Sequence, residues 1–427
     1  MGSAPVAAQV VQASGTPVPT VFANDWGEFG SKKSAAGQTL IKPDEHTFQL
    51  GDWLINGTLN AGVLYNDNLF GTETNQVGSW GFGVAPTIVA ERSSGLVKTS
   101  LYGALNADFY ETTSKADTVT GRGGMVNLWE IQRDMIFRTQ LDYYRGIYYP
   151  GGAGNVPLGQ TIYSSPEGYN QYFGSMGVHK EIGRAFVDLG ASIKHLDYAD
   201  PSAVSGQAFT VNSPDGTTYT LTGRVGYEIS PVIYVFLEPQ VNWWQYQNSL
   251  FDSNGVRLIG GIGTDRIGLF RGEIYGGYQV QDFGNASFGD VDMPVLGMIL
   301  AWYPTRLITV NFTVDQSVAV SAPTLAFTTD NIGIYNSYVT KNTNIALTGT
   351  YEITRQLSSV AGVSYLHADY VNQPRVDNQW GLMAGLTYML VNNWGINLNY
   401  TYTNVDSNIP TDSFVQNIVR ISARGQI

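Results

Sequence analysis

The chain has 427 residues, of which 14% are charged and 43% hydrophobic, with a formal net charge of −12, no cysteine and four histidines; its mean hydropathy is −0.09 and its pI about 4.7. The acidic balance excludes a nucleic-acid binder, whose phosphates call for clustered Lys and Arg, and the missing cysteines exclude disulfides and thiolate metal sites. No apolar run approaches the roughly 20 residues of a spanning helix, and the charge content falls short of the roughly 25% usual in a soluble globule.

Residues 1–45 are rich in Ala, Gly, Ser, Pro and Val and show no sustained alternation. They are expected to form a flexible periplasmic N-terminal extension, in which Trp26 and Phe29 are the large apolar groups available to plug a lumen or meet a partner. Met1 to Gln9 lacks the apolar centre of a signal peptide, so an exported chain is expected to have lost it already, and the opening MGS reads as a cloning addition.

From residue 46 the pattern changes. In WLINGTLNAGVLY, Trp53, Ile55, Leu59, Ala61, Val63 and Tyr65 are apolar, Asn56, Thr58 and Asn60 fall between them, and an aromatic stands at each end. A strand crossing a bilayer at a tilt needs this arrangement: one face on lipid, one on a wet lumen, rings at both headgroup levels. The pattern recurs down the chain, with short turns expected near 93–95, 132–134, 182–184, 230–232, 263–265, 303–305, 354–356 and 391–393 and longer polar loops between them. The expected fold is all-β: a closed antiparallel transmembrane β-barrel over 46–427 with short periplasmic turns and longer extracellular loops. Eight short turns imply eighteen strands; sixteen is the alternative, because GVRLIGGIG (255–263) is a poor strand.

Just before the short turns an aromatic-Glu-Ile triplet repeats, as Trp129-Glu130-Ile131, Tyr227-Glu228-Ile229 and Tyr351-Glu352-Ile353, with Lys180-Glu181-Ile182 as a variant. Either the glutamates ring the periplasmic mouth, or Glu is simply a soluble lumen residue near a strand end; the second reading is preferred.

A strand ending in Tyr65, a first loop opening Asp67-Asn68-Leu69-Phe70, and a second strand carrying Pro86 resemble the putative β-barrel porin 2 group of outer-membrane proteins. The resemblance extends loosely over 50–427. It implies a location in the outer membrane of a Gram-negative bacterium and an association with exopolysaccharide synthesis and export. The chain departs from the usual outer-membrane ending, since its last residue is Ile427 and not Phe, although alternation runs through Val415, Val419, Ile421 and Ala423 to that end.

Strand parity turns Lys98, Asp108, Arg122, Glu130, Arg138, Asp142, Asp188, Lys194, Arg224, Glu228, Glu238, Arg271, Glu273, Asp315, Glu352, Arg420 and Arg424 into the lumen. Arg138 with Asp142 and Arg271 with Glu273 are the first ion pairs expected, each on one face of one strand. Tyr144 and Trp244 also turn inward and are candidates for stacking sugar rings. The four histidines, His46, His179, His195 and His367, sit in no metal-site or Ser-His spacing, no nucleophile elbow or phosphate loop occurs, and the acidic loop residues Asp67, Asp252, Asp290, Asp292, Asp406 and Asp412 lack an EF-hand spacing. No enzyme, cofactor or metal is therefore expected. The expected function is an outer-membrane channel whose partners are lipid, polysaccharide or small polar solutes and a periplasmic export component. The alternatives are a general diffusion porin, or a structural or docking barrel whose N-terminal extension engages a periplasmic partner while its lumen is filled by inward groups such as Tyr234, Phe236, Trp244 and Tyr275.

Overall fold

The computed structural model describes residues 48–148, 166–199, 209–211, 215–285, 289–321, 324–327, 333–336, 338–390, 393–409 and 412–426. The expected extension over 1–45, with Trp26 and Phe29, lies outside the described residues.

Among the described residues the strands are, in chain order, β1 (Phe48–Leu50), β2 (Trp53–Asn66), β3 (Ser79–Ser94), β4 (Val97–Tyr110), β5 (Thr118–Gln132), β6 (Met135–Tyr148), β7 (Glu167–Ile182), β8 (Ala185–Tyr198), β9 (Phe209–Val211), β10 (Gly216–Ser230), β11 (Ile233–Tyr246), β12 (Ser253–Ile267), β13 (Phe270–Phe283), β14 (Asp290–Thr305), β15 (Ile308–Val320), β16 (Thr324–Phe327), β17 (Gly333–Asn336), β18 (Val339–Glu352), β19 (Leu357–Tyr370), β20 (Val376–Met389), β21 (Trp394–Ser407) and β22 (Phe414–Gln426). All but β1, β9, β16 and β17 are wall strands; each pairs antiparallel with its neighbours, and β22 pairs with β2 to close an eighteen-stranded barrel. Closure removes the free first and last edges of the sheet, so main-chain groups find partners within the wall except where the β14–β15 ladder stops at Met298. β1 folds back on β2, Phe48 opposite Ile55, and continues the column that β22 leaves at Thr58. At the long-loop end, β9 from the loop after β8 lies parallel to β17, which pairs with β16 in the loop after β15.

Outward rows are apolar. Leu59, Val63, Leu105, Leu141, Leu189, Leu221, Val225, Leu237 and Ile274 are all exposed, as are the aromatic groups Trp80, Trp243 and Trp380 towards the loop end and Phe270, Trp302, Tyr351 and Trp394 towards the turn end. Such a band bounded by aromatic girdles suits a bilayer.

Two of the eight expected turns are displaced. The turn expected at 263–265 falls at 268–269, and that expected at 303–305 falls at 306–307. The glycines before the first of these do not turn the chain: β12 runs unbroken through Gly260, Gly261 and Gly263, and the left-handed φ of +61° belongs to Gly268. Gly263 is a close approach instead: a Cβ there would meet the ring of Tyr234 at 2.3 Å. An inward ring from one strand thus lies over a glycine of the next, a packing that compensates a weak strand residue.

The motif after β2 serves closure. Asn68 is fully buried; its amide nitrogen donates to the carbonyls of Thr72 (2.7 Å) and Val415 (2.9 Å), and its carbonyl accepts from Gln416 Nε2 (2.6 Å). Asp67 accepts from the backbone and side-chain amides of Asn417 at 2.7 and 2.6 Å. The first loop is therefore sewn to the last strand. Asn68→Ala is expected to lower the unfolding free energy by about 1–3 kcal/mol through buried partners left unmade, read as a lower urea midpoint in detergent; an unchanged midpoint would mean the barrel closes without this loop.

Candidate functional site

The candidate site is the inner wall. Register fixes which residues share it, because residues directly opposite in a ladder point to the same face. Asp108, Arg122, Arg138, Asp142, Asp188, Arg224, Glu238, Glu273, Asp315, Arg420 and Arg424 all stand on the inward rows expected from parity. Lys98 faces inward opposite Leu128, Lys194 opposite Phe173 and Thr218, and Arg271 opposite Ala301. Glu130, Glu228 and Glu352 occupy the same face at the turn end.

The expected same-strand ion pairs do not match the observed partners. Asp142 accepts from Arg122 Nε at 2.7 Å and from the Tyr102 hydroxyl, while Arg138 donates to Gln140 at 3.1 Å. Glu273 accepts from Arg224 Nη1 at 2.9 Å and from Tyr234 at 2.7 Å, rather than from Arg271. The physical reason is reach. Strands stand roughly 4.8 Å apart, so a long guanidinium crosses a neighbour as readily as it runs along its own strand.

The densest network centres on Arg224. Its Nε donates to Glu238 Oε2 at 2.6 Å, and its guanidinium lies 4.1 Å from the centre of the Phe236 ring. Arg224, Glu238 and Glu273 are each no more than 5% exposed. Asp188 stands opposite Arg224 in the ladder and is joined to His179 Nδ1 at 2.5 Å. Two further straps cross several strands. Arg420 on β22 reaches over β2 and β3 to hold both oxygens of Asp108 on β4 at 2.7 Å. It passes above Gly83, where a Cβ would meet Arg420 at 2.3 Å and Asp108 at 2.6 Å. Arg257 on β12 reaches Asp315 on β15 at 3.3 Å, with Tyr275 donating to the same oxygen at 3.2 Å. At the loop end Arg375 holds Asp377 and Asp412, each at 2.6 Å, and lies 4.5 Å from the Tyr370 ring. At the turn end the Lys180 ammonium, 2.6 Å from Asp134, holds that carboxyl below the usual range by donating to it.

The wall is asymmetric around its circumference. Apart from Glu352 and the Arg375–Asp377–Asp412 group at the loop end, the charged residues just described occupy β4–β15, the turns between them and β22. Between Glu352 at the turn end and Asp377 at the loop end, the inward rows of β18–β21 contain no charged residue; Asn344, Ser364, Gln379, Asn397, Asn399 and Thr403 stand there. One arc therefore presents fixed, largely paired charge, and the other uncharged groups, amides and hydroxyls interspersed with Val360, Leu366, Met383 and Val405.

The two inward aromatics differ from their expected use. Trp244 is only 6% exposed, its ring flanked by Tyr246 and Phe283 and clustered with Phe251, so no open face remains for a sugar. Tyr144 is half-buried, edge-on to Tyr169. Acidic loop residues hold the loops: Asp252 accepts from the Tyr246 amide at 2.7 Å, and Asp412 is bound by Arg375. Parity missed Arg257 because its segment looked too glycine-rich for a strand, and it missed Tyr102 because phenol oxygens give no sequence signal of their partners. His179 was legible only as a lone imidazole.

The family model described as putative beta-barrel porin 2 matches residues 44–427. No curated protein matches the sequence. Among solved structures the chain is similar to the outer membrane protein OpdK from Pseudomonas aeruginosa, at 13% identity over 88% of this chain and 99% of that one, with a TM-score of 0.42. It is also similar to a BenF-like porin from Pseudomonas fluorescens Pf-5, at 14% identity over 88% and 100% with a TM-score of 0.43, and to OccAB2 from Acinetobacter baumannii, at 13% over 87% and 98% with a TM-score of 0.42.

Proposed function

The chain belongs to the putative β-barrel porin 2 family, and from that membership we propose that this bacterial outer-membrane barrel is a passive channel for small, polar, uncharged or weakly cationic solutes. The observation that supports the reading is the division of its inner wall. A charged arc whose buried groups are largely matched, as Arg224 with Glu238 and Glu273, Arg257 with Asp315 and Arg420 with Asp108, orients dipoles with little tendency to trap an ion, while the uncharged arc of β18–β21, with its amides and hydroxyls, exchanges hydrogen bonds with a hydroxylated solute at little net cost. Eighteen strands make a barrel wide enough for a water channel. The net charge of −12 favours cations over anions in its field.

Polysaccharide export, the role implied by the family resemblance, would use the same path, but Trp244 is not free to stack a sugar and Tyr144 is engaged with Tyr169. Export therefore rests on family association, and small-solute passage on the wall.

Reconstituted in a planar bilayer, the full chain is expected to conduct ions with mild cation selectivity. Glu228→Lys together with Glu352→Lys should move the reversal potential towards anions, because both carboxylates stand on the inward face at the turn end. A non-conducting protein would defeat the channel reading in favour of a docking barrel. Block by long anionic polysaccharide, with short sugars inert, would turn the reading to export.

A further inference from the structure

The wall is not continuous between β14 and β15. Their ladder runs from Thr305 opposite Ile308 to Met298 opposite Val314 and stops, although β14 stays paired with β13 up to Asp290 and β15 stays paired with β18 up to Val320. Above Met298 the β15 side of β14 is therefore an edge. Side chains cap it: Gln316 Oε1 accepts from the Leu296 N–H at 2.9 Å, Lys341 Nζ donates to the Asp292 carbonyl at 3.0 Å, and Gln316 Nε2 donates to Thr343 at 3.2 Å. Pro294 lies between those two positions with its missing N–H on the same side, where a proline costs no ladder bond.

The ends of β15 and β18 have rolled into the mouth. By ladder parity Val318 and Val339 continue the outward rows of Val314 and Leu347, yet they are 1% and 0% exposed and share one apolar cluster with Val291 and Met293 of the inward row of β14. The opposite faces are buried too, at Ser317, Thr340 and Asn342. A segment in the wall would keep one face on lipid. Trp244 and Phe283 on the inner wall and Phe251 in the loop after β11 extend this cluster, so one of the apolar clusters at the loop end leads to the place where the ladder is missing.

We propose that the β14–β15 break is a lateral portal between the lumen and the outer leaflet, taking a single-chain amphiphile with a small polar head. The apolar cluster receives the chain; Gln316, Lys341 and Thr343 offer the head the donors and acceptors that now cap the strand edge. Opening breaks only side-chain contacts on the β14 side, because the β13–β14 and β15–β18 ladders are intact on either flank.

The test uses vesicles with a lipopolysaccharide outer leaflet, which resists direct insertion of alkyl chains, and a fluorescent alkyl glycoside added outside. Vesicles carrying the full chain should incorporate the probe faster than protein-free vesicles. Leu296→Cys with Gln316→Cys places a cysteine pair where the next outward-facing pair of the ladder would have formed, in a chain that has no other cysteine. Closing the pair by oxidation, or by a short bis-maleimide if the thiols stand too far apart, should drop incorporation to the protein-free rate while ion conductance persists; for the disulfide, reduction should restore it. Gln316→Ala with Lys341→Ala should speed incorporation. Wild-type vesicles no faster than protein-free ones, or a cross-linked barrel as fast as the open one, would overturn the portal. Loss of conductance with incorporation intact would instead count against the small-solute channel.

Discussion

Arg224→Met is expected to destabilise the folded barrel by about 3–5 kcal/mol, the cost of leaving carboxylates buried without their cation. Glu238 and Glu273 would both lose the guanidinium that reaches them at 2.6 and 2.9 Å, and each is only 5% exposed, so water cannot take its place. The ring of Phe236, 4.1 Å from the guanidinium carbon, would at the same time lose its cation. The loss should appear as a lower urea midpoint in detergent and as unfolding in SDS at lower temperature. Neutralising the triad completely, as Arg224→Met with Glu238→Gln and Glu273→Gln, should recover most of the loss, since no unpaired charge then remains. A triple variant as unstable as the single one would show that shape, and not charge pairing, holds this sector.

What could be read beforehand follows the physics of each element. Alternation at period two reports which face a residue takes, because a strand has only two faces, and so the inward rows and the outward girdles were legible. The strand number followed from counting turns. Turn positions failed where glycine had a second use: in β12 glycines make room for Tyr234 and Phe236 from the neighbouring strand, and one sequence cannot say whether a glycine bends the chain or lies under a ring. Ion-pair partners failed for a related reason. Arg420 meets Asp108 across two intervening strands, a meeting set by tilt and stagger that no spacing along the chain records. The missing ladder above Met298 left one trace in the sequence, Pro294 in the loop-end third of a long strand, and a proline there also suits an ordinary strand edge.

Leu398→Arg should cost about 2–4 kcal/mol, the range for a basic side chain on the lipid face near the bilayer midplane. Leu398 stands between Leu386 and Ile421 on the outward row, and all three are at least 40% exposed, so an arginine there has only hydrocarbon around it. Asn399→Arg tests the same chemistry one residue on. It turns into the lumen opposite Gly385 and Arg420, where water solvates the new charge and the remaining cost, repulsion from Arg420, is at most about 1 kcal/mol in so polar a setting. The two variants should therefore separate in both directions: Leu398→Arg lowers the yield of folded, SDS-resistant barrel with the ion selectivity of the surviving channels unchanged, and Asn399→Arg folds normally and moves selectivity towards anions. Equal loss of folding at both positions would mean that water does not reach the inner face of β21, and the neutral arc would then be packing instead of a solute path.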